Sequence, residues 1–500
     1  MKHSIRKEDN NVFYISLIIT FIVVIWGIFD PGGFANVTNS IFEFLVTKFG
    51  WFYLLSMFIF VIFAIGIAFS KYGRIKLGSD DSKPEYSNIS WFAMLFSAGM
   101  GIGLVFWGVA EPLNHFINPQ GLEGGSPVAA NFAMKTSFFH WGLHPWSNYS
   151  ILALALAYFQ FRKNRPGLVS SVFIPLLGEN ASKGIIGHSI DVLAVVATVA
   201  GVATSLGLGT LQINSGLNYL FGLPTTTIVQ IIIITTVTIL FMLSAVTGLD
   251  RGIKILSNTN LMIAIVLLVL AIILGPTVKI FKSFTSGLGA YLNEFIKKSL
   301  EIRPYRSNQW LGDWTIFYWA WWIAWAPFVG TFIARISRGR RIKEFLLGVT
   351  VVPSLGSFVW FATFGTLGID LGPKIAQKAI KTTETAFFVV MNHYPLGNVI
   401  SFVAVILLCT FFVTSADSAT FVLGMMSSNG GLDPTTRRKL IWGIIQSLLA
   451  LSLMLAGGLK TLQIASIAAA FPFAVVMVIA CFSLLKALRN DEFIKKLKNK

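Results

Sequence analysis

Trp314-Thr-Ile-Phe-Tyr-Trp319-Ala-Trp321-Trp322-Ile-Ala-Trp325-Ala-Pro327-Phe-Val-Gly330 places five of the chain's 14 tryptophans within twelve residues. Trp310 lies just before it. The stretch is apolar and closes on a proline and a glycine. A hydrophobic helix is stable without so many indoles, so their density has another cause. Three readings compete: packing, anchoring at a membrane interface, or a cage for a ligand. Tryptophan offers the best π face to a cation, and a quaternary ammonium has no N–H to donate.

The surrounding chain bounds the choice. Of its 500 residues 55% are hydrophobic and 12% charged, and mean hydropathy is +0.72. Apolar runs long enough to cross a bilayer recur throughout, which predicts an all-α polytopic membrane protein. We count twelve spans, roughly 12–30, 50–70, 90–109, 132–161, 188–217, 226–247, 256–280, 311–335, 345–369, 396–424, 438–456 and 461–486. The first run, Val12 to Phe29, reads as a retained helix behind a short polar N-terminus, with no cleavable signal peptide.

Net charge is +17, which in a soluble chain would suggest a nucleic-acid partner. Here the basic residues fall in short loops. Lys71/Arg74/Lys76, Arg162/Lys163/Arg165, Arg251/Lys254, Arg335/Arg338/Arg340/Arg341/Lys343 and Arg437/Arg438/Lys439 follow alternate spans, and both ends of the chain are basic. Twelve spans put all of these on one side, with both termini in the cytoplasm. Two groups disagree: Lys297/Lys298/Arg303/Arg306 and Lys374/Lys378/Lys381 fall outside. The first belongs to Phe281–Leu300, whose near-helical apolar spacing predicts an amphipathic helix on the outer face. Cys409 and Cys481 lie in apolar runs as packed thiols. No CxxC, HExxH, P-loop or Gly-x-Ser-x-Gly pattern is present, so the chain does not read as an enzyme.

Two spans are flawed as helices. The third carries Gly99-Met-Gly101-Ile-Gly103 and the eighth Ala326-Pro327-Phe-Val-Gly330. Glycine weakens a helix and proline removes a donor. The flaws stand five spans apart, the pattern of two five-helix repeats of opposite topology around a midplane site. The division that follows is 1–89, an N-terminal segment with two extra spans; 90–280, a first repeat; 281–310, the amphipathic helix; 311–486, a second repeat; and 487–500, a short basic tail.

Aromatic residues recur in span 4, where Trp146 and Tyr149 share a helical face and Trp141 lies just over one turn earlier. An interfacial belt would suit Trp141. It suits Trp319, Trp321, Trp322 and Trp325 poorly, because four tryptophans in seven residues point around most of the helix. Asp417, beside Thr414 and Ser415, is the clearest acid within a span. Those hydroxyls and the freed carbonyls of span 3 are hard oxygen ligands suited to Na⁺, with Thr198 in span 5 a further hydroxyl. Each has a plainer reading, since Ser and Thr often bond back to their own helix. His140 and His144 have i, i+4 metal spacing. No third ligand is nearby and Pro145 interrupts the helix, so metal binding is not expected, while a proton-relay role stays open.

The glycine motif, the Trp141/Trp146/Tyr149 set and the span-8 stretch together resemble the betaine/carnitine/choline transporter family over nearly the whole chain. The resemblance implies a LeuT-like fold of inverted repeats plus two N-terminal helices, and a homotrimer whose contacts include the surface helix. It implies that Trp141, Trp146, Tyr149 and Trp322 box a trimethylammonium group, bordered by Gly101 and Gly103. Trp325 and Phe328 would form a cytoplasmic-side relay, with Trp321 an inner-path residue. The Ala98 and Met100 carbonyls with Phe411, Thr414 and Ser415 would form one Na⁺ site, and Thr198 with Phe328 part of a second. There the chain departs, carrying Val202 where sodium-coupled relatives can show a hydroxyl, with Thr204 close by.

Choline carriers of the family tend to place an aspartate at the position of Gly103, and sodium-independent carnitine exchangers an arginine in span 7. This chain has neither; Ser257-Asn-Thr-Asn260-Leu261-Met262 holds no basic residue. The expectation is Na⁺-coupled uptake of glycine betaine by alternating access, serving osmoprotection, with H⁺ the alternative coupling ion. No cofactor is implied. A carnitine or choline carrier or exchanger is the neighbouring reading. A transporter-like receptor or a channel is the reading from another class, although no charged ring or filter is visible.

Overall fold

Glycine decides where the third apolar stretch stops being a helix. Gly101 sits at φ −137°, ψ −152° between α3 (Asn88–Gly99) and α4 (Ile102–Ile117). The computed structural model describes residues 10–99, 101–247, 250–305, 308–431 and 433–498, with the side chains of 96–99, 247, 250–254 and 497–498 outside that description. Met100, Arg306 and the side chains of Ala98, Arg251 and Lys254 therefore lie outside the described residues. Every regular element among the described residues is a helix.

The chain opens with α1 (Asn11–Phe29) and the 39-residue α2 (Pro31–Phe69). After α3 and α4, span 4 is also split, into α5 (Pro127–Trp141) and α6 (Leu143–Ala157), with Gly142 at the break. Pro145 falls in the first turn of α6, where its missing N–H costs nothing. Short α7 (Ile174–Lys183) precedes the 37-residue α8 (Ile185–Phe221). Then come α9 (Thr227–Thr247), α10 (Asp250–Leu274) and α11 (Thr277–Ser299). The second half holds α12 (Gln309–Leu311), a π turn at Gly312–Ile316, α13 (Phe317–Arg335) and α14 (Ile342–Asp370). It continues through α15 (Pro373–Ile380), α16 (Ala386–Met391), α17 (Gly397–Met426), α18 (Thr436–Arg489) and α19 (Glu492–Lys498).

Nine helical stretches among the described residues are long and apolar enough to cross a membrane. The expected spans 3, 4, 11 and 12 do not stand as separate helices of that length. Spans 3 and 4 are pairs of short helices, and α18 joins spans 11 and 12 across a kink at Gly457 and Gly458, whose φ/ψ are not helical. Span 8 differs from the expectation: α13 runs unbroken through Pro327. One proline removes one hydrogen bond, and the packing around α13 holds the helix together. The expected amphipathic helix forms as α11. It buries Ile280, Gly287 and Tyr291, one stripe at helical spacing.

Burial sorts the helices. The most apolar window of α8 is 89% buried and that of Gln309–Arg335 is 83% buried, against 28% and 17% for the windows of α9 and α10. The tryptophan helix thus stands at the centre of the bundle, packed against α6, α8 and α18. Interfacial anchoring is thereby excluded for Trp319, Trp321 and Trp322, which are 0%, 2% and 6% exposed.

A polar knot closes one end. Arg162 donates Nε and Nη2 to Asp491 at 2.8 and 2.7 Å, and Nη1 to Asp80 and to the Gly78 carbonyl, both at 2.9 Å. The Tyr158 hydroxyl donates to the same Asp491 at 2.7 Å. Burial opposes charge on Asp491, but the hydrogen bonds from Arg162 and Tyr158 prevail and hold its carboxyl well below the usual carboxylate range. Such a group stabilises fully above its unfolded-state pKa of about 3.9 and loses that only as pH falls through the lower folded value. Asp491→Ala should cost about 3 kcal/mol, because the largely buried Arg162 loses one of its two carboxylate partners and the Tyr158 hydroxyl loses its acceptor. Thermal melts should show the same gap from wild type at pH 7 and pH 5; a gap that closes by pH 5 would disprove the assignment.

Candidate substrate and ion site

The halves of span 4 and the helix α13 bring four aromatic rings to one place. Trp141 ends α5, Trp146 and Tyr149 lie on α6, and Trp322 lies on α13. Ring centroids of Trp141 and Trp322 are 4.8 Å apart at 76°, those of Tyr149 and Trp322 6.2 Å at 82°, and those of Trp146 and Tyr149 5.7 Å at 83°. Near-perpendicular rings form walls, whereas a stack would close on itself. All four are buried. Two backbone carbonyls aim these walls. Trp322 Nε1 donates to the His140 carbonyl at 3.0 Å, and Asn148 Nδ2 donates to the Trp322 carbonyl at 2.8 Å, tying α6 to α13.

The glycine motif borders this set. A Cβ on Gly103 would lie 2.7 Å from Trp321 Cη2 and 3.2 Å from Trp141 Cη2, so only glycine lets α4 approach both indoles. A Cβ on Gly101 would stand 3.6 Å from Ser415 Oγ, which places the span-3 break beside α17. Trp321 stacks on Trp322 at 4.9 Å and 16°. Further along α13, Trp325 and Phe328 meet edge-to-face at 5.4 Å, and Trp325 Nε1 donates to the Gly201 carbonyl of α8 at 2.8 Å.

Among the expected ion ligands, Thr414 is buried on α17 and donates to its own helix at Thr410 and Phe411, while Asn260 Nδ2 of α10 donates to it at 3.3 Å. Phe411 is buried and Ser415 partly buried. With Met100 outside the described residues, the carbonyl half of the set stays with the sequence. The Thr198 hydroxyl donates to the Ala194 carbonyl at 2.8 Å. Thr204 cannot replace the missing hydroxyl at Val202 without giving up existing partners, the Ala200 and Leu462 carbonyls and Ser466. Asp417 is buried, as expected.

The expectation that no further ligand is nearby needs correction. Glu111 and His115 lie beside His140 and make a set of three, and His144 is not part of it. Oxygen and nitrogen atoms of Glu111, His115 and His140 all lie within 4.8 Å of one another, geometry that could hold a cation. His144 points instead to Ser299 Oγ at 2.9 Å. Glu111 and His115 stand 29 and 25 residues before His140, a separation that only the fold closes. Glu111, Asn148 and Tyr318 were all missed. The signal for Glu111 was available: it falls two residues past the predicted end of span 3, next to Pro112, and the helix continues to Ile117.

The sequence profile of BCCT, the betaine/carnitine/choline family transporter, matches residues 11–493. The chain belongs to the betaine/carnitine/choline transporter family. A BCCT chain is a transporter and not an enzyme, and with nine helices among the described residues long and apolar enough to cross a membrane it is a multi-pass protein of the plasma membrane. It is 51% identical to a glycine betaine transporter of Bacillus subtilis, over 97% of this chain and 95% of the relative. It is 47% identical to a probable glycine betaine transporter of Desulfitobacterium hafniense, over 98% and 100%. An ectoine/hydroxyectoine transporter of Virgibacillus pantothenticus is also 47% identical, over 97% of each.

Proposed function

We propose that this BCCT protein is a secondary active transporter that takes up glycine betaine, coupled to Na⁺, by alternating access. The observation that carries the reading is the convergence of Trp141, Trp146, Tyr149 and Trp322 as near-perpendicular walls. A trimethylammonium group needs indole and phenol faces and no paired acid. The 51% identical glycine betaine transporter supports the choice of substrate. Ser415 beside the span-3 break and Thr414 supply oxygens for Na⁺. The helix pairs at spans 3 and 4 and the kink in α18 supply the crossings beyond nine. On this reading the chain crosses twelve times, with spans 3–7 and 8–12 as inverted repeats and both termini cytoplasmic. The family resemblance adds a homotrimer with α11 at its contacts.

The test is accumulation of labelled glycine betaine by purified protein in proteoliposomes. Concentrative uptake is expected with an inward Na⁺ gradient and not with K⁺ in its place. Uptake driven only by a pH gradient would replace Na⁺ by H⁺, and equilibration without accumulation would indicate a channel. Competition by choline, carnitine and ectoine is expected to be weak. Stronger inhibition by ectoine than by betaine itself would move the substrate assignment toward the ectoine carrier.

A further inference from the structure

Glu111 is fully buried on α4 and four hydrogen-bonding groups converge on its two oxygens. Oε2 accepts from Trp141 Nε1 at 2.7 Å and from the Tyr318 hydroxyl at 2.6 Å. Oε1 faces His140 Nδ1 at 2.6 Å and His115 Nε2 at 3.3 Å. His140 is held from its other side by Thr315 Oγ1 at 3.0 Å. One of these contacts, from Trp141, belongs to the aromatic walls, and those of His140 and Tyr318 end on groups beside them.

Trp141 is held directly. Trp322 is held at one remove, because its Nε1 donates to the carbonyl of the residue whose imidazole also meets Glu111. Tyr318 fills the corner between them: its ring lies 5.6 Å from Trp141, and 5.9 Å from Trp322 at 21°. A carboxylate suits this position because it accepts without donating, whereas a glutamine would turn an NH₂ toward N–H and O–H donors.

We propose that Glu111 is a positioning residue that fixes the angle between the Trp141 and Trp322 indoles and so sets affinity for the ammonium group. It does this without touching the ligand. The proposal rests on the glycine betaine reading above. Its logic is that of preorganisation: a ring already locked at its binding angle loses no rotamer freedom when the ligand arrives.

The experiment compares wild type, Glu111→Gln and Tyr318→Phe in proteoliposome uptake and in near-UV circular dichroism. Glu111→Gln should raise the betaine KM by about tenfold or more, the scale of a lost hydrogen bond to a charged group. Maximal rate per reconstituted protein should change much less. A purely structural loss would lower the rate and leave KM alone, which would overturn the proposal. Tyr318→Phe keeps the carboxylate and its bond to Trp141, so a KM rise of only a few-fold is expected. It carries the test if Glu111→Gln does not reach the membrane, and an unchanged KM there would then count against the proposal. Near-UV dichroism separates the two levels of the argument, since the perpendicular indoles should give a signal that shifts in the variants without substrate. A wild-type spectrum in both variants overturns the positioning role whatever is transported. Altered spectra in a protein that neither binds nor moves betaine would overturn the substrate reading and keep the positioning role.

Discussion

Trp322→Leu lowers the affinity for glycine betaine about 30-fold, the loss of roughly 2 kcal/mol from one desolvated cation–π contact. The expected signature is a raised KM in vesicle uptake and a matching fall in affinity by titration. Trp51→Leu is the control, because Trp51 is half exposed and distant in sequence from the cage. The leucine also removes an indole that stacks on Trp321, so a melt should accompany the assay to separate affinity from stability. Wild-type affinity in a stably folded Trp322→Leu protein would remove the aromatic cage from the account.

Gly103→Asp should reduce betaine uptake by at least tenfold through two separate effects. The first is steric. The new Cβ would lie 2.7 Å from Trp321 Cη2 and 3.2 Å from Trp141 Cη2, so one indole must shift. The second is electrostatic: a carboxylate placed beside the cage repels the carboxylate of betaine in a low-dielectric site. Gly103→Ala carries only the first penalty and should fall between wild type and the aspartate variant. Choline has no carboxylate and escapes the second. The ratio of choline to betaine uptake should therefore rise in Gly103→Asp and stay near the wild-type value in Gly103→Ala. An alanine variant as impaired as the aspartate would show that shape alone governs this position.

Much of this site was legible because its signals are local. A glycine or proline acts on its own backbone, so the break at Gly101 could be read from a few residues, while the break in span 4 falls at Gly142, three residues before the proline. The aromatic set was legible for the same reason, since Trp146 and Tyr149 share a face by spacing alone. Pro327 marks the limit of such reading. Whether one missing hydrogen bond breaks a helix depends on the neighbours, and α13 is clamped by three helices. Glu111 shows the complementary failure. Its importance lies in partners from 4 to 207 residues away, and a boundary drawn at residue 109 put it in a loop, where an acid draws no notice. Arg340 lies in a loop, as counted, but its surroundings could not be read from that count: it is 1% exposed, with its guanidinium 4.0 Å from the centre of the Trp91 ring and hydrogen-bonded to Asn88.

That arginine belongs to a small clasp. The loops after α2 and before α14 meet at the bridge between Lys76 and Arg341. Leu77 N donates to the Arg340 carbonyl at 2.8 Å, Gly339 N to the Leu77 carbonyl at 2.7 Å, and Ile342 N to the Ile75 carbonyl at 2.9 Å. Trp91 Nε1 on α3 reaches Ser337 Oγ on the other side at 3.0 Å. The end of α2 is thus tied through the main chain to the loop that follows the tryptophan helix. If α13 tilts to open a path, the tip of α2 must travel with it or three backbone hydrogen bonds must break. On the alternating-access reading proposed above, that joint would act as a flywheel on the moving helix, setting part of the rate of opening at a place no substrate touches.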